Sequence, residues 1–162
     1  MTNLKFYYGQ DELTLTKALA LADGSLQGAI SEDSKKKIIE SQKHVEDIVQ
    51  RNETVYGINT GFGPMCNTAI SAEDTSKLQD NLLRSHSVGV GDPIPEQIAK
   101  LMLILKVHSL CFGFSGIHPN TLERMLWLID SNIVPVVPKQ GSVGASGDLA
   151  PLAHLALPLI GL

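Results

Sequence analysis

Residues 95–112, PEQIAKLMLILKVHSLCF, carry apolar side chains on nearly every side of a helix. A helix without a polar face is stable only where other elements cover it. The segment therefore predicts a mainly α fold, a helical bundle with minor short strands and this helix in its middle. The chain supplies the cover. Residues 32–51 predict an amphipathic helix with Ser31 as N-cap and a stripe of Ile38, Ile39, Val45, Ile48 and Val49 opposite Lys35, Lys36, Glu40 and Glu46. Further helices are predicted over 72–87, capped by Ser71, and over 120–130, with a brief one over 16–22. LKFYYG and LTLT read as short strands, and Asp23-Gly24 as a turn. At 162 residues the chain is the size of one domain, long enough to hide roughly 70% of its unfolded surface.

Two segments break this helical pattern. Residues 54–68 gather three glycines, a proline and two asparagines, which is loop chemistry, and a long loop inside a compact domain is often functional. The second is GSVGASGDLAPLAH, Gly141 to His154, reached through an extended piece bounded by Pro135 and Pro138. It fails the tests for known glycine-rich loops. A phosphate loop needs Lys and then Ser or Thr after its last glycine, whereas Gly147 is followed by Asp148 and Leu149. The glycines fall as G-x-x-G-x-x-G, not as the dinucleotide G-x-G-x-x-G. The nucleophile elbow G-x-S-x-G is also missed, because glycine stands directly after Ser146. What remains is a loop that reacts with itself. Gly147 has no side chain, so its amide nitrogen can fold back on the carbonyl carbon of Ala145, and dehydration of Ser146 then gives an electrophile made from main chain.

At these residues the chain resembles the aromatic amino-acid ammonia-lyases and aminomutases. GSVGASGDLAPLAHLALPLIG is similar to their signature, VYGINTGFGPM (Val55 to Met65) to their tyrosine loop, and LQDNLLRSHSVGVG (Leu78 to Gly91) to their active-site helix and turn. Order and separation agree as well. The resemblance implies the N-terminal, cofactor-bearing domain of that fold, with residues 1–162 as a single domain of a longer chain. It also implies a 4-methylideneimidazol-5-one formed autocatalytically from Ala145, Ser146 and Gly147, with no metal, nucleotide or pyridoxal cofactor.

The same resemblance assigns roles. Tyr56 matches the β-proton base, a task for which a phenol of ordinary pKa near ~10 needs help from positive charge or hydrogen bonding. Asp148 matches the residue that assists dehydration of Ser146, and its position before an apolar helix is also that of an N-cap. The helix it opens points its positive end at the ring. His86 matches the position that reads the substrate's ring, and Ser85-His86 resembles the histidine-type members, implying deamination of L-histidine to trans-urocanate and ammonia. Tyrosine- or phenylalanine-directed lyases and aminomutases share the electrophile. A helical scaffold that keeps the loop without cyclising it is the reading from another class. Asn59 and Gly61 are expected to serve turns, His118 to start a helix, and His44, His108 and His154 to take no part in the chemistry.

Composition removes other classes. A net charge of −4 with no basic stripe gives no reason to expect nucleic acid or an anionic membrane as partner. The longest apolar runs, 101–105 and 149–162, are shorter than the roughly 18 residues a spanning helix wants, and MTNLKFYYGQDE does not open a signal peptide. Cys66 and Cys111 have no metal-like spacing and read as buried, inert thiols of a cytoplasmic protein. His154 is the only polar side chain from Leu149 to Leu162, so that helix needs cover on all sides and the sequence reads as truncated. By resemblance, family members continue well beyond it and assemble as homotetramers. The 162 residues alone are expected to be inactive.

Overall fold

A computed structural model of the chain describes residues 5–51, 53–60, 70, 72–144 and 147–162. Among them are six α-helices and four short strands. Strand β1 (Lys5–Tyr8) leads to α1 (Leu15–Asp23) and β2 (Gln27–Ile30), followed by α2 (Glu32–Gln50) and α3 (Ala72–His86). Strand β3 (Val90–Pro93), α4 (Glu96–Leu110), α5 (Pro119–Asp130), β4 (Pro138–Gln140) and α6 (Leu149–Ala156) complete the order, with a 3₁₀ turn at Leu157–Ile160.

Helix α4 is the centre. It packs against α1, α5 and β1, and its Ala99, Leu103, Ile104, Val107 and Leu110 lie in one core with Phe6, Tyr8, Leu21, Ile38, Leu122, Met125 and Leu128. Each such large side chain contributes about 1.5–3 kcal/mol on burial. The cover is incomplete: Ile98 and Leu105 remain exposed, Leu105 by 53%, so the helix expected to be enclosed has an open side.

Local chemistry explains the rest. In α2, Ser31 Oγ accepts from the Ser34 amide at 3.1 Å, and Glu32 and Asp33 stand in the first turn where the helix dipole favours them. Its docking face runs through Ser34, Ile38 and Ile48, with Ser41 and Val45 half-buried. That is steps of four and three, and Ile39 therefore points about 100° away and is 52% exposed, contrary to the expected stripe. LTLT is not a strand. Thr14 is instead the N-cap of α1, its Oγ1 accepting from the Lys17 amide at 3.3 Å, so a capping threonine prevails over its β propensity. The strand partner of LKFYYG is Gln27–Ile30, paired in parallel with Lys5 opposite Gln27 and Tyr8 opposite Ile30, because α1 carries the chain across. Ser34 Oγ then donates to the Tyr8 carbonyl at 3.2 Å and ties α2 to β1.

Strands β3 and β4 are antiparallel, Val90 opposite Gln140 and Pro93 opposite Pro138, with an irregularity between. This pair brings the segment after His86 beside the segment that leads into the glycine-rich loop. Helices α3 and α6 pack on each other. Ser71, Gly61 and Cys66 lie outside the described residues. Cys111 is fully buried, and burial pushes its thiol up to about 12, as befits an inert core cysteine. His108 is a half-buried side chain beside that core, with Nδ1 accepting from the Gly9 amide at 3.2 Å and its ring against Phe6, Tyr8 and Phe112. Burial lowers its pKa. His118 caps α5, its Nδ1 accepting from the Asn120 amide at 3.2 Å.

Candidate active site

A cavity of about 640 Å³ opens between α3, α4, α5 and α6, walled mostly by apolar side chains such as Leu82, Leu110, Met125, Leu152 and Leu155. Among the described residues, its polar members are Tyr56, His86, Lys106 and Thr121. An apolar pocket with a few convergent polar groups is the usual form of a small-molecule site.

Tyr56 stands on the segment Glu53–Thr60, and Asn59 organises that segment. Its buried side chain accepts from the Val55 amide at 3.0 Å and donates to the Glu53 carbonyl at 2.8 Å. Thr60 Oγ1 accepts from the Gly57 amide at 3.4 Å. Asn59 therefore serves the turn, as expected. Tyr56 itself is 63% exposed, with its ring at the cavity wall.

His86 is the last residue of α3. Its Nδ1 lies 2.7 Å from the Leu82 carbonyl oxygen; a carbonyl only accepts, so Nδ1 carries the proton and Nε2 is the nitrogen left for a ligand. Ser85 Oγ, 3.2 Å from the same Nδ1, donates to Leu82 as well at 3.1 Å. The imidazole is thus oriented by its own helix.

The glycine-rich loop is described on both sides of Ala145 and Ser146, which lie outside the described residues. Gly147 has φ +92°, and a Cβ built there meets nothing within 4 Å. That left-handed backbone and open surrounding fit a triplet whose third residue turns its amide back on the first. Asp148 occupies the N-cap position of α6, yet its side chain caps nothing. Its φ is +49°, a region that Asp and Asn tolerate better than other side chains with a Cβ, and its carboxylate accepts from the Ser142 hydroxyl. The expected capping role is therefore corrected: the carboxylate is turned back across the loop, and the α6 amides are left without a side-chain cap. In the structure Asp148 joins Ser142, while Tyr56 and His86 share the cavity with Leu149, Leu152 and Ala153 of α6.

Sequence reasoning passed over three contributors. Ser142 lies six residues from its partner, a spacing without periodic meaning. Lys106 sits in the helix read as apolar on nearly every side, and it is one of the residues that line the cavity. His154 is not idle, because its Nε2 accepts from the Gly89 amide at 2.9 Å. The signal for it was present, since a lone polar side chain in an apolar helix must find a partner. Among the described residues, no three His, Cys, Asp or Glu side chains gather in a way that holds a metal ion, and no helix is long and apolar enough to cross a membrane.

The fold is that of the helical ammonia-lyases and aminomutases. The histidine ammonia-lyase of Trypanosoma cruzi superposes with a TM-score of 0.87 at 38% identity, over 98% of this chain and 30% of that one. The tyrosine aminomutase of Streptomyces globisporus gives 0.88 at 32% identity over the same shares. The family profile described as aromatic amino acid lyase matches residues 13–162, and the chain belongs to that family. In sequence, the histidine ammonia-lyase of Streptococcus sanguinis (strain SK36) is 47% identical over 152 residues. Those residues are 94% of this chain but 30% of that relative, so the chain spans under a third of the length of the curated proteins it matches.

Proposed function

We propose that residues 1–162 form the cofactor-bearing N-terminal domain of a longer enzyme that eliminates ammonia from L-histidine to give trans-urocanate. One observation carries the reading. Tyr56 and His86 line one cavity together with α6, the helix that leaves Ala145-Ser146-Gly147. Such an electrophile, base and ring reader are what this elimination needs, and the likeness to histidine ammonia-lyases supports the choice of substrate.

Ring closure between the Gly147 nitrogen and the Ala145 carbonyl carbon, with loss of two waters including the Ser146 hydroxyl, gives a methylideneimidazolone that supplies an electrophilic carbon to activate the substrate. The chain's own residues do the remainder. Asp148 takes up the proton that Ser146 must lose for its hydroxyl to depart, and Ser142 holds its carboxylate across the loop. The α6 amides, uncapped by a side chain, leave the positive end of the helix dipole at the Gly147-Asp148 end of the loop, where it favours negative charge. Tyr56 removes the β-proton, a step of little driving force that general-base catalysis speeds by about 10² to 10⁴. His86 offers Nε2 to an imidazole N–H of the substrate and fixes its orientation. The apolar walls lower the local dielectric around these contacts and so strengthen them.

The full enzyme is proposed to be a cytoplasmic homotetramer acting on a small amino acid, with the 162-residue portion inactive by itself. The deciding experiment is turnover of L-histidine, L-tyrosine and L-phenylalanine by the full-length protein, followed through ultraviolet absorbance. Urocanate from histidine is expected. Coumarate, cinnamate or a β-amino acid as main product, and none from histidine, refutes the substrate assignment.

A further inference from the structure

We propose that His154 is a positioning residue: through the Gly89 amide it locks the helix leaving the Ala145-Ser146-Gly147 loop to the turn that follows His86, and so sets the spacing between electrophile and ring reader. The inference rests on the reaction proposed above.

The contact is specific. His154 Nε2 accepts from the Gly89 N–H at 2.9 Å across 65 residues of sequence. To accept, Nε2 must be unprotonated, which leaves the ring proton on Nδ1. Glycine at position 89 is what lets the imidazole come this close: a Cβ there would lie 2.8 Å from Nε2, 3.1 Å from Cδ2 and 3.1 Å from Pro138 Cβ. Two residues, Ser87 and Val88, separate Gly89 from His86 in sequence, so a bond to that amide anchors the turn into which the helix of His86 runs.

The loop's other end meets the same turn. A Cβ on Gly141 would sit 2.8 Å from Gly89 Cα, and Gln140, just before it, pairs with Val90. The loop therefore departs from Gly89 by backbone contact and returns to it through His154. Only the second tie is a side chain, and hence only it can be cut without disturbing strand pairing. Without it, α6 keeps its apolar contacts with α3, but these are non-directional and allow small slides. A slide of about 1 Å between reacting groups costs on the order of a hundredfold in rate.

The test uses the full-length assembled enzyme with His154→Leu, which removes the acceptor, and His154→Gln, whose amide oxygen restores one. Cyclisation is local to residues 145–147, so both variants are expected to show the loss of two waters by intact mass. For His154→Leu, kcat on L-histidine is expected to fall about ten- to a hundredfold, with most of it recovered in His154→Gln. Three results overturn the proposal: His154→Leu at parental kcat, His154→Gln no better than His154→Leu, or His154→Leu that fails to lose the waters. Should the parent enzyme not act on histidine, the reaction reading fails and thermal coupling judges the latch. Gly89→Ala should then lower Tm by several degrees in the parent and markedly less alongside His154→Ala, where the clash is relieved. Equal losses in both backgrounds overturn it.

Discussion

The Ser142 hydroxyl donates to the Asp148 carboxylate across the glycine-rich loop, and the aspartate that would otherwise cap α6 is turned toward the loop. A helix cap exchanged for a cross-loop bond, in a left-handed residue that is not glycine, is a local cost best understood through what the carboxylate does there.

The first prediction follows from that bond. Asp148→Asn keeps both the shape and the tolerance for left-handed backbone but removes the charge, so conversion of Ala145-Ser146-Gly147 should slow severely while Tm changes little. Ser142→Ala leaves the carboxylate without its donor, and a hydrogen bond to a charged group is worth about 1.5–3 kcal/mol. Conversion is then expected to slow by roughly tenfold or more. Intact mass followed over time after synthesis measures both. Full two-water loss at the parental rate in Asp148→Asn would limit Asp148 to a structural role.

Tyr56→Phe removes one oxygen from a segment whose turn is held by the buried Asn59 side chain. Loop shape and substrate binding should survive, with KM within a few-fold of the parent and kcat lowered about 10² to 10⁴. Unchanged kcat with a raised KM would make Tyr56 a lid residue.

The core supplies a pH prediction. The Tyr8 hydroxyl is fully buried with no hydrogen-bond partner among the described residues, and burial, reinforced by Asp130, raises its pKa. Cys111 is raised from 9.0 to about 12. Both hold their protons in the folded chain at pH values where the unfolded chain has released them. Stability is therefore intact below about pH 9 and is lost as pH climbs from there toward 12. Tyr8→Phe should raise Tm at neutral pH, removing an unpaired polar group worth about 1 kcal/mol, and should flatten the alkaline fall. Melting curves from pH 7 to 11 check this, and parallel curves for parent and variant would refute it.

Sequence showed what periodicity and turn chemistry encode. The central helix, the α2 cap at Ser31, the turn duty of Asn59 and the helix start at His118 were all legible, because each depends on neighbours within a few residues. Long-range geometry was not. The pairing of Val90–Pro93 with Pro138–Gln140 leaves no alternating pattern in so short a strand. The exposure of Ile39 was lost to a stripe drawn one residue too wide. For Asp148, local preference for an N-cap competes with a bond to Ser142 that no helix rule anticipates. That His154 needs a partner was legible from its isolation in an apolar helix, but which partner was not, because it is a backbone amide far away in sequence.

The most direct test of the central claim is intact mass paired with turnover for the full-length enzyme and its Ser146→Ala variant. The parent is expected to be lighter than its sequence by two water molecules and active on L-histidine. The variant has no hydroxyl to lose and forms no exocyclic alkene, so it should lack the second dehydration and turn over slower by orders of magnitude while melting at the parental temperature. An active parent at full sequence mass, or a Ser146→Ala enzyme with near-parental turnover, would contradict it.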